Sequence, residues 1–480
     1  MKTKNKILAV VEIAVVLFSV FLLALPVTAI AADQTTQKVS ANTITASSKD
    51  DYVLGVYGNA NEDDTIDMRD LTYVKLIFFG KKPETELADA KYDGKINPLD
   101  FIQIKLIIVG KEKELTFVDA LREAVTVHKP VERIISGYTD RAETLQMLDI
   151  TDKVVGVDAY VRERTSIFPE LSKLPEVTSF SSRRQNYEAM LSLMPDVYIP
   201  YMATPSIETK RLYEEKLPGV AIIFLELGYQ TKTKENFIES FVNDIKKLGY
   251  ILDKEDEAEE FCEWYEGYMD MINDRTKGLS DDEKPLVYVS FWSFDSCVTR
   301  EGIVGLAGGK NLGSDLGTGH SVKVSPEWLM VQNPDFIIRN TVWSTGYGLD
   351  ELSGETDPDS PSYKLTPPLM VEEVLNKLEL ARVNAVTSRR VYVIEHTHLT
   401  TGPGHILGAV YYAKLFHPDL FEDLDPEEVH QEYLDRFQRI DYDLNEHGIF
   451  LYPPIEVNGG LAGVPDRYKG QIDIPDPYTG

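Results

Sequence analysis

The sequence predicts an α/β protein of two lobes joined by one long helix and preceded by a small all-α unit built on calcium-type loops. Three observations carry this. A twelve-residue, oxygen-rich loop returns 30 residues later, short β-branched runs alternate with helical stretches past Glu114, and one extended amphipathic pattern separates the two halves. Alternation of strands and helices argues mainly parallel sheets. The roughly 340 residues after the repeat exceed one core, which is the reason to expect two lobes.

At the N-terminus, Lys2, Lys4 and Lys6 precede an apolar run from Ile7 to Leu25 and the small-residue segment Ala29-Ile30-Ala31. Residues 1–31 therefore read as a secretion signal. The run approaches the length of a membrane span, broken only by Glu12, so a retained anchor fits as well. Either reading means export. Without a cysteine in this region, a lipid-modified cysteine anchor is excluded. Residues 32–51 lack apolar periodicity and read as a flexible tether.

With 78 acidic against 49 basic residues, a net charge of −29, the chain should repel nucleic acid and anionic membrane surfaces. Only Cys262 and Cys297 are present, so neither a disulfide framework nor a cysteine metal site is expected.

The first loop places Asn59, Asn61, Asp63, Thr65, Asp67 and Asp70 at positions 1, 3, 5, 7, 9 and 12. That pattern suits calcium, which takes six to eight oxygen ligands. In the second loop Asp89, Asp93, Lys95, Asn97 and Asp100 fall at positions 1, 5, 7, 9 and 12, Lys95 offering only its backbone carbonyl, while Lys91 stands at position 3 and should weaken the site. The repeat continues into the following helices, where Asp70 to Ile77 matches Asp100 to Ile107. Residues 52–114 resemble a dockerin module. Departures from that pattern are Asp64 where glycine makes the sharp turn, Lys91, and Pro98 after Asn97. The resemblance implies calcium as cofactor and a cohesin-like surface partner.

In the large region the expected strands are 134–136, 154–157, 197–199 and 222–224 in the first half, and 286–289, 336–338 and 391–394 in the second. Between them, Ala258, Phe261, Cys262, Tyr265, Tyr268, Met269 and Ile272 mark one face of a helix over 255–277, about 34 Å long, with Glu255, Asp256 and Glu257 at its positive end. It divides an N-terminal lobe, 125–254, from a C-terminal lobe, 278–450. The segment 451–480 is an irregular tail, and the stretch from Ser344 to Pro368, rich in Asp, Ser and Pro, reads as an insertion able to cover a cleft.

Ile134 to Leu145 followed by Val155-Gly156-Val157-Asp158, the turns at Pro195-Asp196 and Asn333-Pro334-Asp335, and Leu306 to Asn311 resemble, in order, the substrate-binding proteins of ABC importers for iron chelates and cobalamin. The resemblance spans about Val125 to Phe437. It implies two Rossmann-like lobes joined by a rigid helix, a membrane permease as partner, and glutamates on the outer faces that dock onto permease arginines, here Glu143 and Glu327.

The ligand is expected between the lobes, at loops after strand carboxyl ends. On the first lobe these carry Tyr138, Arg141, Tyr160, Arg162, Arg164, Arg183 and Arg184, and on the second Trp292, Arg300, Trp343 and Tyr347. Arginine forks and aromatic faces suit an anionic, ring-bearing metal chelate, with a ferric siderophore favoured over a corrinoid or haem. His396, His398 and His405, after a strand, add possible ligand contacts, since neutral imidazole binds iron and zinc. No nucleophile-base pair or phosphate loop is present, so no enzyme site is expected. A reading of another class is a calcium-dependent cell-surface structural protein.

Overall fold

The computed structural model describes residues 52–179, 184–201, 206–227, 234–291, 293–299, 302–317, 320–341, 366–457 and 460–472. The leader 1–31, the tether 32–51, Arg183, Trp292, Arg300, Trp343, Tyr347, most of the expected insertion and the last residues of the tail lie outside them. Among the described residues no helix is long and apolar enough to cross a membrane.

The repeat is visible in three dimensions. Helices Met68–Phe78 and Pro98–Ile108 each follow a loop and each open with a capping box, Asp67 with Asp70 and Asn97 with Asp100. Pro98 occupies the first helical turn, where its fixed φ and missing N–H cost nothing, which accounts for the proline after Asn97. The position-12 carboxylate wraps both loops alike. Asp70 accepts from Asn61 N at 3.1 Å and Asp67 N at 2.8 Å, and Asp100 from Lys91 N at 2.9 Å and Asn97 N at 2.7 Å. The unit is not all-α in its surroundings. Strand Glu114–Val118 pairs antiparallel with Ala124–His128, Val56 bridges to Phe117, and Val56, Val74 and Ile104 share one buried core with Phe117 and Phe241.

The first lobe holds a six-stranded sheet in the order Arg184–Gln185, Glu176–Ser179, Val154–Asp158, Ile134–Ser136, Val197–Ile199, Ala221–Ile222. All neighbours are parallel except the first pair. In the second lobe Leu286–Phe291, Phe336–Thr341 and Val391–Glu395 form a parallel centre, with Ser293–Val298, Ser321–Lys323 and Leu451–Tyr452 antiparallel outside it. In both sheets the chain starts in the middle and turns outward, placing a switch point at the carboxyl ends of the central strands.

The helix Glu255–Thr276 stands between the halves. Its acidic first turn faces the dipole, and Phe261, Cys262, Tyr265, Met269 and Ile272 are buried on the face the sequence marked. It packs against helices Lys234–Leu252 and His405–Phe416. Both cysteines are free and buried, and burial raises both thiol pKa values, that of Cys297 to about 12.

Candidate functional site

Three tyrosines follow three adjacent parallel strands of the first lobe: Tyr138 after Ile134–Ser136, Tyr160 after Val154–Asp158, and Tyr201 after Val197–Ile199. Ring centroids lie 5.9 Å apart for Tyr138 and Tyr160 and 4.3 Å for Tyr138 and Tyr201. Strand-end geometry thus gathers one aromatic shelf. Tyr201 was not among the expected site residues, although the rule that selected Tyr138 and Tyr160 applies to it equally.

Arg164 lies against the shelf. Its guanidinium is 5.3 Å from the Tyr160 ring centre, Nη1 donates to Tyr160 O at 3.0 Å, and Nη2 reaches across to Thr397 Oγ1 of the second lobe at 3.3 Å. Thr397 in turn donates to Glu395. Burial raises the Glu395 carboxyl pKa, and the Arg164 charge opposes that rise.

On the second lobe His396 opens a one-turn helix, His396–Leu399, directly after the central strand Val391–Glu395. Its ring lies 4.6 Å from that of Phe291, at the end of strand Leu286–Phe291 of the same sheet. The Thr400 hydroxyl gives its proton to His396 O at 2.9 Å, so its oxygen accepts from His396 Nδ1–H. The Asn340 amide nitrogen, 3.4 Å from Nδ1, is too distant to compete. The lone pair therefore lies on Nε2, which has no hydrogen-bond partner among the described residues. Burial, helped by His320, lowers the His396 pKa to about 3 and keeps the ring neutral.

The other expected site residues separate into distinct places. Arg141 is buried and committed, with Nη1 2.7 Å from Asp140 and Nη2 2.9 Å from Leu225 O, so it staples the lobe and does not present its charge to a solute. Arg162 and Arg184 are exposed and flank Glu176, Arg184 at 2.9 Å. His405 is a core residue: Nδ1–H donates to Gly402 O at 2.5 Å, Tyr265 OH donates to Nε2 at 2.7 Å, and Phe237 and Phe241 enclose the ring. Burial lowers its pKa to about 4.

Glu143 does not lie on an outer face. Every residue of its helix, Thr139–Met147, is buried, and the carboxylate is 0% exposed. Its Oε1 accepts from Tyr433 OH at 2.7 Å, and His398 Nδ1 lies 2.8 Å from the same oxygen. His398 is likewise fully buried, and its Nε2 pairs with His430 Nε2 at 2.9 Å. The physical reason is the close approach of the loop after His398. A Cβ on Gly404 would fall 1.9 Å from His398 O and 3.2 Å from Glu143 Oε1, so only glycine lets the two lobes meet there. Glu327 is exposed in the first turn of Pro326–Gln332, and the Ser325 hydroxyl holds its pKa low.

In the first loop the offered side chains are oxygen donors, as a hard cation requires, with Asp70 buried behind them and its pKa raised by burial to about 6. Arg69 lies against Asp63 at 3.1 Å and Asp67 at 2.9 Å. Among the described residues no three His, Cys, Asp or Glu side chains converge as a metal cluster. A cation would therefore rely on asparagine and backbone oxygens and would displace Arg69.

Known proteins share this architecture. Molybdate-binding protein MolA of Haemophilus influenzae is 22% identical over 346 residues, covering 68% of this chain and 91% of MolA. Its molybdate-bound structure superposes with a TM-score of 0.54 at 19% identity, over 68% of this chain and 99% of that one. An uncharacterized ABC transporter substrate-binding lipoprotein, YvrC of Bacillus subtilis, is 22% identical over 64% of this chain and 86% of its own length. Helicobacter pylori CeuE, solved in a Ni-His complex, gives a TM-score of 0.52 at 20% identity, over 68% of this chain and 96% of that one. The profile described as periplasmic binding protein matches residues 134–397, more than half of the sequence, and the chain belongs to that family.

Proposed function

We propose that the protein is the exported solute-binding component of an ABC importer and that its solute is a ring-bearing metal chelate approached by His396. The carrying observation is the tyrosine shelf linked through Arg164 and Thr397 to a neutral histidine whose Nε2 is open. Flat aromatic surface and one imidazole lone pair suit a planar chelate whose metal has an open axial position. Kinship with molybdate-binding MolA and with CeuE in a Ni-His complex agrees with a metal-related solute. Of the described site arginines, Arg141 is buried on Asp140, Arg164 is spent on Tyr160 O and Thr397, and Arg162 and Arg184 sit on Glu176, which moves the preference from an anionic ferric siderophore toward haem or a corrinoid.

The segments 1–31 and 32–51 serve as leader and tether in this reading. Glu327 remains the docking carboxylate for the permease. Residues 52–114 act as a dockerin-like calcium module for a cohesin-like partner, supported by the duplicated loop wrap. Asn59, Asn61 and backbone oxygens of the loop would hold the first ion beside Asp63 once Arg69 is displaced, and the ion would supply folding energy there.

Titration of the purified protein with haem, cobinamide and a ferric catecholate, followed by visible absorbance, tests the solute class. Haem or cobinamide should bind, and His396→Ala should shift the bound band and weaken binding about tenfold. Tight binding unchanged by both His396→Ala and Tyr201→Ala would place the solute elsewhere.

A further inference from the structure

Besides its sequence, the first calcium-type loop differs from its twin in being held by the solute-binding lobe. Three residues on one stripe of helix Lys234–Leu252 grip the N-terminal unit. Asn243 Nδ2 donates to Val53 O at 2.7 Å, Lys246 Nζ pairs with Asp64 Oδ2 at 3.0 Å, and Tyr250 OH meets Thr65 and Ile66. Their spacing of three and four residues puts all three on the same face. Asp64, which replaces the usual turn glycine, is thereby explained as the anion for Lys246. Gly94, at the same position of the second loop, has no such pair.

Tyr250 makes the most specific contact. Ile66 N donates to Tyr250 OH at 2.9 Å, which leaves the hydroxyl proton for Thr65 Oγ1 at 3.2 Å. The N–H of Ile66 and the C=O of Thr65 belong to one peptide group, and in a trans peptide they point in opposite directions. Holding that N–H from the lobe side turns the Thr65 carbonyl away from Tyr250. Thr65 is position 7, whose backbone carbonyl is the ligand calcium takes in such loops. No described residue takes the corresponding N–H of Ile96.

We infer that Tyr250, a residue of the solute-binding lobe, is the positioning residue of the first calcium loop, so that occupancy of that loop and the stability of the lobe are linked. The inference rests on the calcium reading above. Linkage is reciprocal: if the lobe orients a calcium ligand, calcium must stabilise the lobe helix that provides the hydroxyl. The second loop, lacking an external hold, binds independently.

Calorimetric titration of the full chain with calcium chloride, alongside Tyr250→Phe, Asp70→Asn and Asp100→Asn, tests this. Asp70→Asn and Asp100→Asn identify which binding event belongs to which loop. Tyr250→Phe should weaken the Asp70-dependent event about tenfold and leave the Asp100-dependent event unchanged. Melting in chelator separates positioning from general damage. Tyr250→Phe should melt close to the wild type without calcium, yet lose most of the calcium-induced upward shift. Wild-type protein that binds no calcium would overturn the calcium reading and this inference together. Calcium binding that Tyr250→Phe leaves unaltered, or a loss equal with and without calcium, would overturn the inference alone.

Discussion

Glu143 and Glu327 occupy matching places in the family pattern but opposite environments, and truncating each to alanine should separate them. Glu143 is the terminal acceptor of a buried chain of donors. Tyr411 OH stands 3.4 Å from His430 Nδ1, His430 pairs with His398, Tyr433 donates to one carboxylate oxygen, and His398 Nδ1 lies 2.8 Å from that oxygen. Hydrogen bonds to a charged group contribute about 1.5–3 kcal/mol each, and removing one member of a buried pair strands its partners. Glu143→Ala removes the Tyr433 bond and the carboxylate beside His398 at once, so the lobes should lose about 3–5 kcal/mol. Glu143→Gln keeps an acceptor oxygen for Tyr433 and should cost less, about 1–2 kcal/mol. Glu327→Ala, at an exposed helix start, should change stability by less than about 0.5 kcal/mol. Urea denaturation followed by far-ultraviolet dichroism reads all three. Equal midpoints for Glu143→Ala and wild type would refute the buried assignment, because a carboxylate facing solvent loses nothing on truncation. If Glu327 alone docks the permease, Glu327→Ala should abolish uptake in cells while solute affinity stays within a few-fold.

Acid should destabilise the protein through His405: an unfolded histidine titrates near 6.5 and this one near 4, so the unfolded state binds more protons between those values. Stability is then lost progressively as pH falls from about 6.5 to about 4, by about 3 kcal/mol from this group, measurable as a falling urea midpoint. Glu427 acts in the other direction, because burial pushes its carboxyl up to about 8. Its contribution is present below the unfolded value of about 4.5 and is lost as pH rises through 8, so the two groups offset each other between about 4.5 and 6.5 and the net loss falls below about 4.5 and above about 6.5. Arg162→Ala and Arg184→Ala should leave solute affinity unchanged, since both side chains rest on Glu176 at the surface, and a tenfold loss would return them to the site. Gly404→Ala should destabilise by several kcal/mol and shift the His398 ring signals in NMR, given the 1.9 Å approach its Cβ would make; an unchanged spectrum would contradict that packing.

The parallel strands were legible because buried β-branched runs announce themselves. Segments expected at 134–136, 197–199 and 391–394 appear as Ile134–Ser136, Val197–Ile199 and Val391–Glu395. The long helix was legible for the same reason, through its 3.6-residue stripe. Strands that carry polar residues or pair antiparallel were not read: Glu176–Ser179, Ser293–Val298 and the hairpin at Glu114–His128 lack a continuous apolar signal. The site was half legible. Strand ends place Tyr138, Tyr160 and His396 beside the switch points, but the fate of each charge depended on distant partners. Arg164 meets Thr397, 233 positions away, and Glu143 meets Tyr433, 290 positions away, and no local pattern encodes such pairs. Arginine abundance in the loops therefore overstated the charge offered to a solute.

The two cysteines have a practical consequence. A thiol reacts as its thiolate, and both sulfurs here are buried with raised pKa values. The folded protein is accordingly silent toward maleimide reagents without any cysteine being removed. Single cysteines introduced at exposed positions such as Arg162 and Val331 would then carry dyes or spin labels with negligible background. The separation of the lobes, with and without haem, can be followed by energy transfer on the otherwise native chain.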